Sequence, residues 1–178
     1  MDIKLLDSQQ QTSLETLFQS VFSDSEGEEE GRALGVLVSQ LAATIDNEQI
    51  LCLGAYADQQ LVAAIFFSRL TVPDPVSIYM LSPVAVRTDQ QGKGIGQTLI
   101  NHGLNELKTR AVDVAVTYGD PAYYSRVGFH PIPETRIKAP HPLSMPQGWL
   151  AQSLSTEPIP TISKEPTCVP AFNNPTYW

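Results

Sequence analysis

Three glycines alternate with other residues in the segment Gln91-Gly92-Lys93-Gly94-Ile95-Gly96, which follows an apolar stretch and opens a helical pattern. A backbone without Cβ atoms can approach a ligand closely and direct several N–H groups at it. The partial positive charge of a helix N-terminus falls at the same place. Lys93, with Arg87 as a second candidate, adds a full positive charge. The segment therefore predicts an anion site, and phosphate is the anion that suits it.

Apolar spacing along the rest of the chain predicts a mixed α/β fold. Residues recurring at helical intervals, or alternating as in strands, give the predicted order βααβββαβαβ followed by a tail. The predicted strands are 3–6, Ile50–Ala57, Leu61–Arg69, Ile78–Val86, Val112–Tyr118 and a last extended segment that begins at Gly128-Phe129. The predicted helices contain Leu14–Phe22 and Leu34–Ile45, run from Gly94 to Arg110, and start at Asp120-Pro121. The link Asp58-Gln59-Gln60 suits a hairpin.

Proline marks two places where regular pairing should stop. Pro83 cannot donate a ladder hydrogen bond, so it predicts a bulge or a break within its strand. More than half of the 14 prolines lie from Pro140 onward. We therefore expect a domain over residues 1–135, with its organised core ending near Pro133. Residues 136–178 are expected to form a proline-rich C-terminal extension packed on the same domain.

Charge and cysteine usage exclude several classes of protein. The net charge of −8 and a pI near 4.7 argue against nucleic-acid binding, which needs clustered Lys and Arg. No apolar stretch is long enough to span a membrane. Cys52, expected in the core, and Cys168 lack metal-ligand spacing, as do the histidines, so no metal is expected. Unpaired cysteines favour a reducing, cytoplasmic location.

The glycine spacing separates the possible phosphate ligands. A Walker loop needs Gly-x4-Gly-Lys-Ser/Thr, but here Lys93 precedes Gly94 and no earlier glycine is in place. A dinucleotide fingerprint needs a third glycine where Gln97 stands. A tight turn alone rarely needs three glycines. Neither nucleotide motif fits, and a purely structural turn is disfavoured.

The remaining pattern, Gln91-x-x-Gly94-x-Gly96 after Val84-Ala85-Val86, resembles the phosphate-binding signature of the GNAT N-acetyltransferases. A second motif lies at that family's spacing, because Tyr124-Ser125-Arg126-Val127-Gly128-Phe129 resembles its Tyr-x-x-x-Gly-Phe segment. The segments 81–86 and Gly119-Asp120-Pro121-Ala122-Tyr123-Tyr124 look like those of a bacterial subgroup of predicted acetyltransferases. The resemblance covers about residues 1–135.

The resemblance implies a GNAT acyl-CoA N-acyltransferase fold, a central mixed sheet flanked by helices and splayed between strands four and five. Pro83 is consistent with that parting. The implied donor is acetyl-CoA. Main-chain groups of Val84, Ala85 and Val86 would hold its pantetheine and thioester. The pyrophosphate would be bound by Gln91, Gly92, Lys93, Gly94, Ile95, Gly96 and Gln97.

The resemblance also assigns Tyr124 as the general acid that protonates the CoA sulfur, in preference to Tyr123. The general base is open, because Ser77–Val86 contains no carboxylate. Asp120 could act as a base or cap the following helix. Tyr79, Ser82 and Thr117 could orient a water. The acidic run from Asp24 to Glu30 could attract a cationic amine, or it could be a solvated segment that favours the next helix N-terminus.

The expected function is acetyl transfer from acetyl-CoA to a primary amine of a small molecule or a protein. The alternative is a module that binds or senses acyl-CoA without turnover. A third interpretation is an interaction subunit that docks through its proline-rich tail. A homodimer is also expected, because Val169–Trp178 could form a C-terminal strand that pairs within or between subunits.

Overall fold

The computed structural model describes all residues, 1–178, and contains seven strands and four α-helices. The strands are β1 (Asp2–Leu5), β2 (Ile50–Ala57), β3 (Gln60–Leu70), β4 (Ile78–Val86), β5 (Val114–Tyr118), β6 (His130–Pro131) and β7 (Trp149–Ser153). The helices are α1 (Gln11–Glu26), α2 (Glu28–Ala43), α3 (Ile95–Thr109) and α4 (Pro121–Tyr124). None of the helices combines the length and apolar character needed to cross a membrane.

The strands form one mixed sheet, flanked by helices, in the order β1-β2-β3-β4-β5-β7-β6. Strand β4 pairs in parallel with β5, and the pairing runs from Ile78↔Val114 to Leu81↔Thr117. The ladder ends there, although β4 itself continues to Val86. This is the place where Pro83 predicted a break in pairing. The mixed α/β prediction is confirmed.

The chain divides into two units. The first comprises Met1–Phe67 and Pro83–Gly103, and the second comprises Ser68–Ser82 and Leu104–Trp178. Strands β3 and β4 run through both. The predicted division at residue 135 into a domain and an extension stays a prediction.

In the first unit, the β2–β3 hairpin closes through Asp58 and Gln59. Their φ angles are 48° and 64°, and a two-residue loop with two positive φ angles is the turn that matches the twist of paired strands. Gln60, predicted as part of the link, is already the first residue of β3. The predicted hairpin is therefore confirmed with a link one residue shorter.

Neighbouring residues of β3 hold helices on opposite faces of the first unit's strands. The rings of Phe66 and Phe18 of α1 have centroids 5.9 Å apart. A Cβ atom at Gly103 of α3 would lie 2.3 Å from Cε2 of Phe67, so only glycine lets α3 approach this ring. Successive side chains of a strand point to opposite faces. Phe66 and Phe67 thus fix α1 on one face and α3 on the other.

The second unit contains a buried core built from the C-terminal residues. Strand β7 lies between β5 and β6, pairing antiparallel with both. Trp149 is fully buried, and its Nε1 donates a 2.9 Å hydrogen bond to the Ile137 carbonyl oxygen. Trp178 is also buried and donates to the Phe172 carbonyl oxygen at 3.0 Å. The expectation that the organised core ends near Pro133 is wrong.

The segment Val169–Trp178 does not form a strand. It contains two short 3-10 turns, Pro170–Phe172 and Pro175–Tyr177, each opened by a proline. Proline suits the first position of a helical turn but cannot donate to a sheet ladder. The predicted C-terminal strand is therefore wrong, and the homodimer loses the argument on which it was based.

Candidate functional site

The predicted anion loop lies between β4 and α3 in the first unit. A 3-10 turn at Thr88–Gln90 leads into it, and α3 begins at Ile95. Gly92 and Gly94 have φ angles of +75° and +77°, a conformation that costs other residues more than glycine. A Cβ atom at either position would meet no protein atom within 4 Å. The backbone conformation, and not packing against the protein, requires these two glycines.

The residues after the loop form the first turn of α3. Thr98 N–H donates the first helical bond, to the Gly94 carbonyl oxygen at 3.0 Å. The N–H groups of the preceding residues, Ile95, Gly96 and Gln97, have no partner within the helix, as in any helix N-terminus. These donors and the helix dipole favour an anion at this position. Gly96 is buried, whereas Ile95 and Gln97 are partly exposed.

The two cations considered for the loop differ in how they are paired. Arg87 donates from Nε and Nη2 to the Asp89 carboxylate at 2.6 and 2.9 Å, and from Nη1 to Gln60 at 3.0 Å. This hydrogen bonding raises the pKa of Arg87 and lowers the pKa of Asp89 to about 2. Lys93 donates to the neutral Gln90 side chain at 3.0 Å. The charge of Arg87 is thus balanced by Asp89, and Lys93 is the cation available to an anion.

The end of β4 is tied to the loop through Gln91. Its side-chain Nε2 donates a 3.0 Å hydrogen bond to the Val86 carbonyl oxygen. Val84 and Val86 are partly exposed, while Ala85 between them is buried. The side chain of Gln91 therefore has a structural role. All ten residues predicted to bind the cofactor lie in the single segment 84–97 of the first unit.

The acidic run near residue 27 is explained by helix structure. Helix α1 extends to Glu26, and Glu28, Glu29 and Glu30 form the first turn of α2, where carboxylates are favoured by the helix dipole. The Asp24 carboxylate accepts a 2.6 Å hydrogen bond from the Thr88 hydroxyl. Of the two interpretations of this segment, the helix-terminus one accounts for these side chains without a ligand.

In the second unit, Tyr124 ends the short helix α4. The Asp120 side chain accepts a 2.9 Å hydrogen bond from the Ala122 N–H, and Pro121 occupies the first helical position. The predicted capping role of Asp120 is confirmed. This carboxylate is engaged at the helix N-terminus, where it stabilises the turn that presents Tyr124.

Neighbouring residues fix the ring of Tyr124 from several sides. Its centroid lies 5.9 Å from that of the fully buried Phe129 and 5.1 Å from that of Tyr123, both in edge-on arrangements. Gly128 has a φ of +93°, and this left-handed residue reverses the chain so that Phe129 N–H reaches the Tyr124 carbonyl oxygen at 3.2 Å. The Tyr-x-x-x-Gly-Phe motif therefore has a physical basis, since its last two residues hold the first.

Burial and the hydroxyl of Thr117 shift the pKa of the Tyr124 phenol in opposite directions. Thr117 is fully buried at the end of β5, and its Oγ1 donates to the Leu81 carbonyl oxygen at 2.9 Å. Burial is the larger effect and raises the pKa of Tyr124 to about 12, although the Thr117 hydroxyl acts in the opposite direction. Burial also raises the pKa of Tyr123, which the charge of Arg126 opposes. Tyr124 thus remains a neutral donor at physiological pH.

The sequence analysis considered Thr117 only as a residue that orients water. In the structure its hydroxyl donates to the Leu81 carbonyl oxygen of β4, a partner that the sequence did not indicate. The available signal was a hydroxyl at the end of the apolar run Val114-Ala115-Val116, since a buried polar side chain must find a partner. The predicted acid, Tyr124, lies in the second unit, and the predicted donor loop lies in the first.

The other side chains considered for catalysis do not form a cluster that could act as a general base. Tyr79 is buried in β4 and Ser82 is partly exposed. His102 and His130 are exposed, and His141 is hydrogen-bonded to Asn173 at 2.9 Å. No group of three or more His, Cys, Asp or Glu side chains is arranged to hold a metal ion.

Comparison with known proteins shows which family the chain resembles. A family model described as an acetyltransferase (GNAT) domain matches residues 22–141. The chain is 31% identical over 143 residues to the uncharacterized N-acetyltransferase YjhQ of Escherichia coli (strain K12), covering 74% of this chain and 79% of that protein.

Two solved structures show the same fold at low identity. The GNAT family N-acetyltransferase YhbS from Escherichia coli, in complex with CoA, has a TM-score of 0.80 at 23% identity and covers 97% of this chain and 92% of its own. A GNAT family acetyltransferase from Brucella melitensis, in complex with acetyl-CoA, has a TM-score of 0.72 at 23% identity and covers 97% of both chains.

The family model spans well over half of the chain, and the YjhQ match extends over most of both proteins. The two solved structures share the overall fold, with TM-scores of 0.80 and 0.72. The chain therefore belongs to the GNAT acetyltransferase family and is an N-acetyltransferase.

Proposed function

We propose that this enzyme transfers the acetyl group of acetyl-CoA directly to a primary amine of a small molecule or a protein. The observation that carries the proposal is the loop at the N-terminus of α3. There, Gly92 and Gly94 adopt positive φ without any packing need, beside Lys93 and the free N–H groups of a helix. Two relatives of the same fold are described in complex with CoA and acetyl-CoA.

The donor would be held mainly by main-chain groups. The pyrophosphate would accept hydrogen bonds from the N–H groups of Gly92 to Gln97, with Lys93 balancing part of its charge. Main-chain groups of Val84, Ala85 and Val86 would bind the pantetheine arm and the thioester. Because the Val86 carbonyl oxygen already accepts from Gln91, we assign the donor role at this residue to its N–H. Such a donor would also stabilise the oxyanion that develops in acyl transfer.

The chemical step requires a neutral amine, a polarised carbonyl and a protonated leaving group. The amine nitrogen attacks the thioester carbon, and the C–S bond breaks as the tetrahedral intermediate collapses. The thiolate takes the proton of the Tyr124 phenol, and the amide nitrogen loses a proton to solvent. Tyr124 can fill this role because its phenol is protonated throughout the neutral range, as an acid must be before it acts.

A module that binds acyl-CoA without turnover is the second candidate. One observation favours it: the carboxylate nearest to Tyr124 in sequence, Asp120, is engaged as a helix cap. An enzyme can nevertheless act without a dedicated carboxylate when the amine loses its proton to solvent before attack. The two candidates differ in one measurable respect, which is thiol release.

The test combines acetyl-CoA binding with thiol release over a panel of small amines and amine-bearing peptides. An active transferase releases thiol with at least one acceptor. Tyr124→Phe should lower kcat at least about tenfold while leaving the Kd for acetyl-CoA within about twofold. Tyr56→Phe is the matched control, because Tyr56 lies in β2, outside the segment 84–97, and the Lys4 ammonium lies 4.3 Å from its ring centroid. Tight binding without thiol release for any acceptor would support the binding module instead.

A further inference from the structure

We propose that Gln90 is a positioning residue for the donor, whose neutral side-chain amide holds the Lys93 ammonium in place and leaves its positive charge available to the pyrophosphate. The proposal rests on the proposed role of the loop at the N-terminus of α3 in binding acetyl-CoA. It deepens that role by naming the group that orients the cation of the loop. All the residues concerned lie in the first unit.

The amide of Gln90 lies between a carboxylate and an ammonium group. Its Nε2 donates a 3.1 Å hydrogen bond to Oδ2 of Asp89, and its Oε1 accepts a 3.0 Å hydrogen bond from Nζ of Lys93. An ionised carboxylate only accepts hydrogen bonds, and an ammonium group only donates them. These two neighbours therefore determine which end of the amide faces Lys93.

Asp89 is itself fixed by a neighbour at the end of β4. Arg87 donates from Nε and Nη2 to the two oxygens of the Asp89 carboxylate, and such a two-point pair has a defined geometry. The same guanidinium donates from Nη1 to Gln60, the first residue of β3, and the Arg87 N–H donates to the Val62 carbonyl oxygen at 2.8 Å. A continuous row of contacts thus connects β3 to the ammonium of Lys93.

The backbone keeps Gln90 within reach of Lys93. Gln90 ends the 3-10 turn Thr88–Gln90, and its N–H donates to the Arg87 carbonyl oxygen at 2.8 Å. The Thr88 hydroxyl ties this turn to Asp24 of α1 at 2.6 Å. Gln90 is partly exposed, whereas Lys93 is exposed. The acceptor of the Lys93 hydrogen bond is therefore held by the fold, while the ammonium can still meet a ligand.

The neutrality of Gln90 decides how much charge Lys93 offers. Arg87 forms an ion pair with Asp89, and Lys93 belongs to no ion pair. An ammonium group has three donors, so one bond to Gln90 leaves two for phosphate oxygens. Restricting a long side chain before binding reduces the entropy that is lost on binding. A carboxylate at position 90 would restrict Lys93 equally but would cancel its charge.

The test measures acetyl-CoA binding to the full chain by isothermal titration, which needs no acceptor. Gln90→Met keeps the length of the side chain but removes both of its hydrogen bonds, and it should weaken the Kd about three- to tenfold. Gln90→Glu places a carboxylate beside Lys93 and should weaken the Kd about 10- to 30-fold at about 20 mM salt. The loss in Gln90→Glu should shrink at about 500 mM salt, because salt screens exposed charges.

Further comparisons show whether Gln90 acts through Lys93. In a Lys93→Met background, Gln90→Met should cause no further loss, because the two residues act as one unit. Gln40→Glu is the control for the added charge, since Gln40 is exposed on α2 outside the segment 84–97, and this variant should bind like the wild type. Acetyl-dephospho-CoA, which keeps the pyrophosphate but lacks the 3′-phosphate, should show the same loss in Gln90→Met. With any acceptor that is turned over, Gln90→Met should raise the KM for acetyl-CoA and leave kcat within about twofold.

The outcomes that would overturn the proposal are distinguishable. A wild-type chain that does not bind acetyl-CoA would remove the proposed function as well. Wild-type affinity in both Gln90→Met and Gln90→Glu, or an equal loss in Gln40→Glu, would remove the role of Gln90 alone. A Gln90→Met loss that persists in Lys93→Met would mean that Gln90 supports the loop without acting through its cation. A loss for acetyl-CoA but not for acetyl-dephospho-CoA would assign Lys93 to the 3′-phosphate instead.

Discussion

The ring of Tyr124 lies directly on the backbone of Gly119, so closely that a Cβ atom at Gly119 would be 2.7 Å from the ring carbon Cε2. Real Cβ atoms do not come this near to another heavy atom. Glycine at this position is therefore required by the place of the aromatic ring. The Phe129 ring, with its centroid 5.9 Å from that of Tyr124, also limits where the Tyr124 ring could move.

Gly119→Ala should displace the Tyr124 ring and lower kcat by about 10- to 100-fold, because small misplacements of a reacting group have effects of this size. The Kd for acetyl-CoA should change little. Thiol release and calorimetric binding check the two halves of this prediction. Gly35→Ala is the control, since a Cβ there approaches only the flexible Gln19 side chain, at 3.3 Å. Unchanged kcat in Gly119→Ala would show that the ring position is not critical.

Two substitutions at Gly94 distinguish the effect of a negative charge on acetyl-CoA binding from the effect of backbone strain. Gly94→Asp and Gly94→Asn have similar shapes, and both side chains tolerate positive φ better than most. Only Asp adds a negative charge beside the proposed pyrophosphate, so its Kd for acetyl-CoA should be weaker by on the order of 100-fold. Isothermal titration compares the two variants. Equal affinities would mean that no phosphate group lies at this position.

Gly27→Asp serves as the control for the same loop experiment. Gly27 also has a positive φ, +101°, and a Cβ there meets nothing within 4 Å. It joins α1 to α2 outside the segment 84–97. The variant should bind acetyl-CoA like the wild type.

The raised pKa of Tyr124 predicts how kcat changes with pH on the alkaline side. An acid acts while it is protonated, and a pKa of about 12 keeps the phenol protonated well above an ordinary pKa of about 10. Turnover should therefore rise with pH as the amine loses its proton and should not decline below about pH 11. The measurement is kcat from pH 7 to 10.5 with one acceptor. A decline with its midpoint at or below pH 10 would contradict the assigned environment of Tyr124.

Trp149 provides a stability test of the C-terminal core. Trp149→Ala should lower the free energy of unfolding by about 3–5 kcal/mol, through lost burial and a cavity. Trp149→Phe should cost about 1–3 kcal/mol, because the buried Ile137 carbonyl oxygen loses its donor. Urea denaturation measures both variants. An effect of either variant below about 0.5 kcal/mol would show that this core is not needed for folding.

Local patterns predicted the parts of the fold that depend on local physics. The hairpin at Asp58-Gln59 and the cap at Asp120 follow from side chains and backbone preferences within a few residues. The glycine loop belongs to the same class, because its positive φ angles and its helix lie within one short segment. The family motif also predicted a contact beyond immediate neighbours, because the turn at Gly128 brings Phe129 against Tyr124.

Long-range partners were beyond such patterns. Strand β7 has only three apolar residues, Trp149-Leu150-Ala151, amid prolines, and its partners lie some 35 residues earlier in the chain at β5. The pairing of Arg87 with Asp89 was missed because either charge could equally have faced solvent or a ligand. The bond between the Thr117 hydroxyl and the Leu81 carbonyl oxygen depends on the pairing of β5 with β4, which periodicity does not specify.

Because β7 lies between β5 and β6 in the sheet but follows both in the chain, β6 can join the sheet only after β7 has been synthesised. Strand β6 hydrogen-bonds to β7 and not to β5, so it cannot join the sheet until residue 153 has left the ribosome. Until then, β5 presents an unpaired edge, the kind of surface that recruits other chains. A nascent chain stalled before β7 would keep that edge exposed, and pairing of Trp149–Ser153 with β5 would cover it.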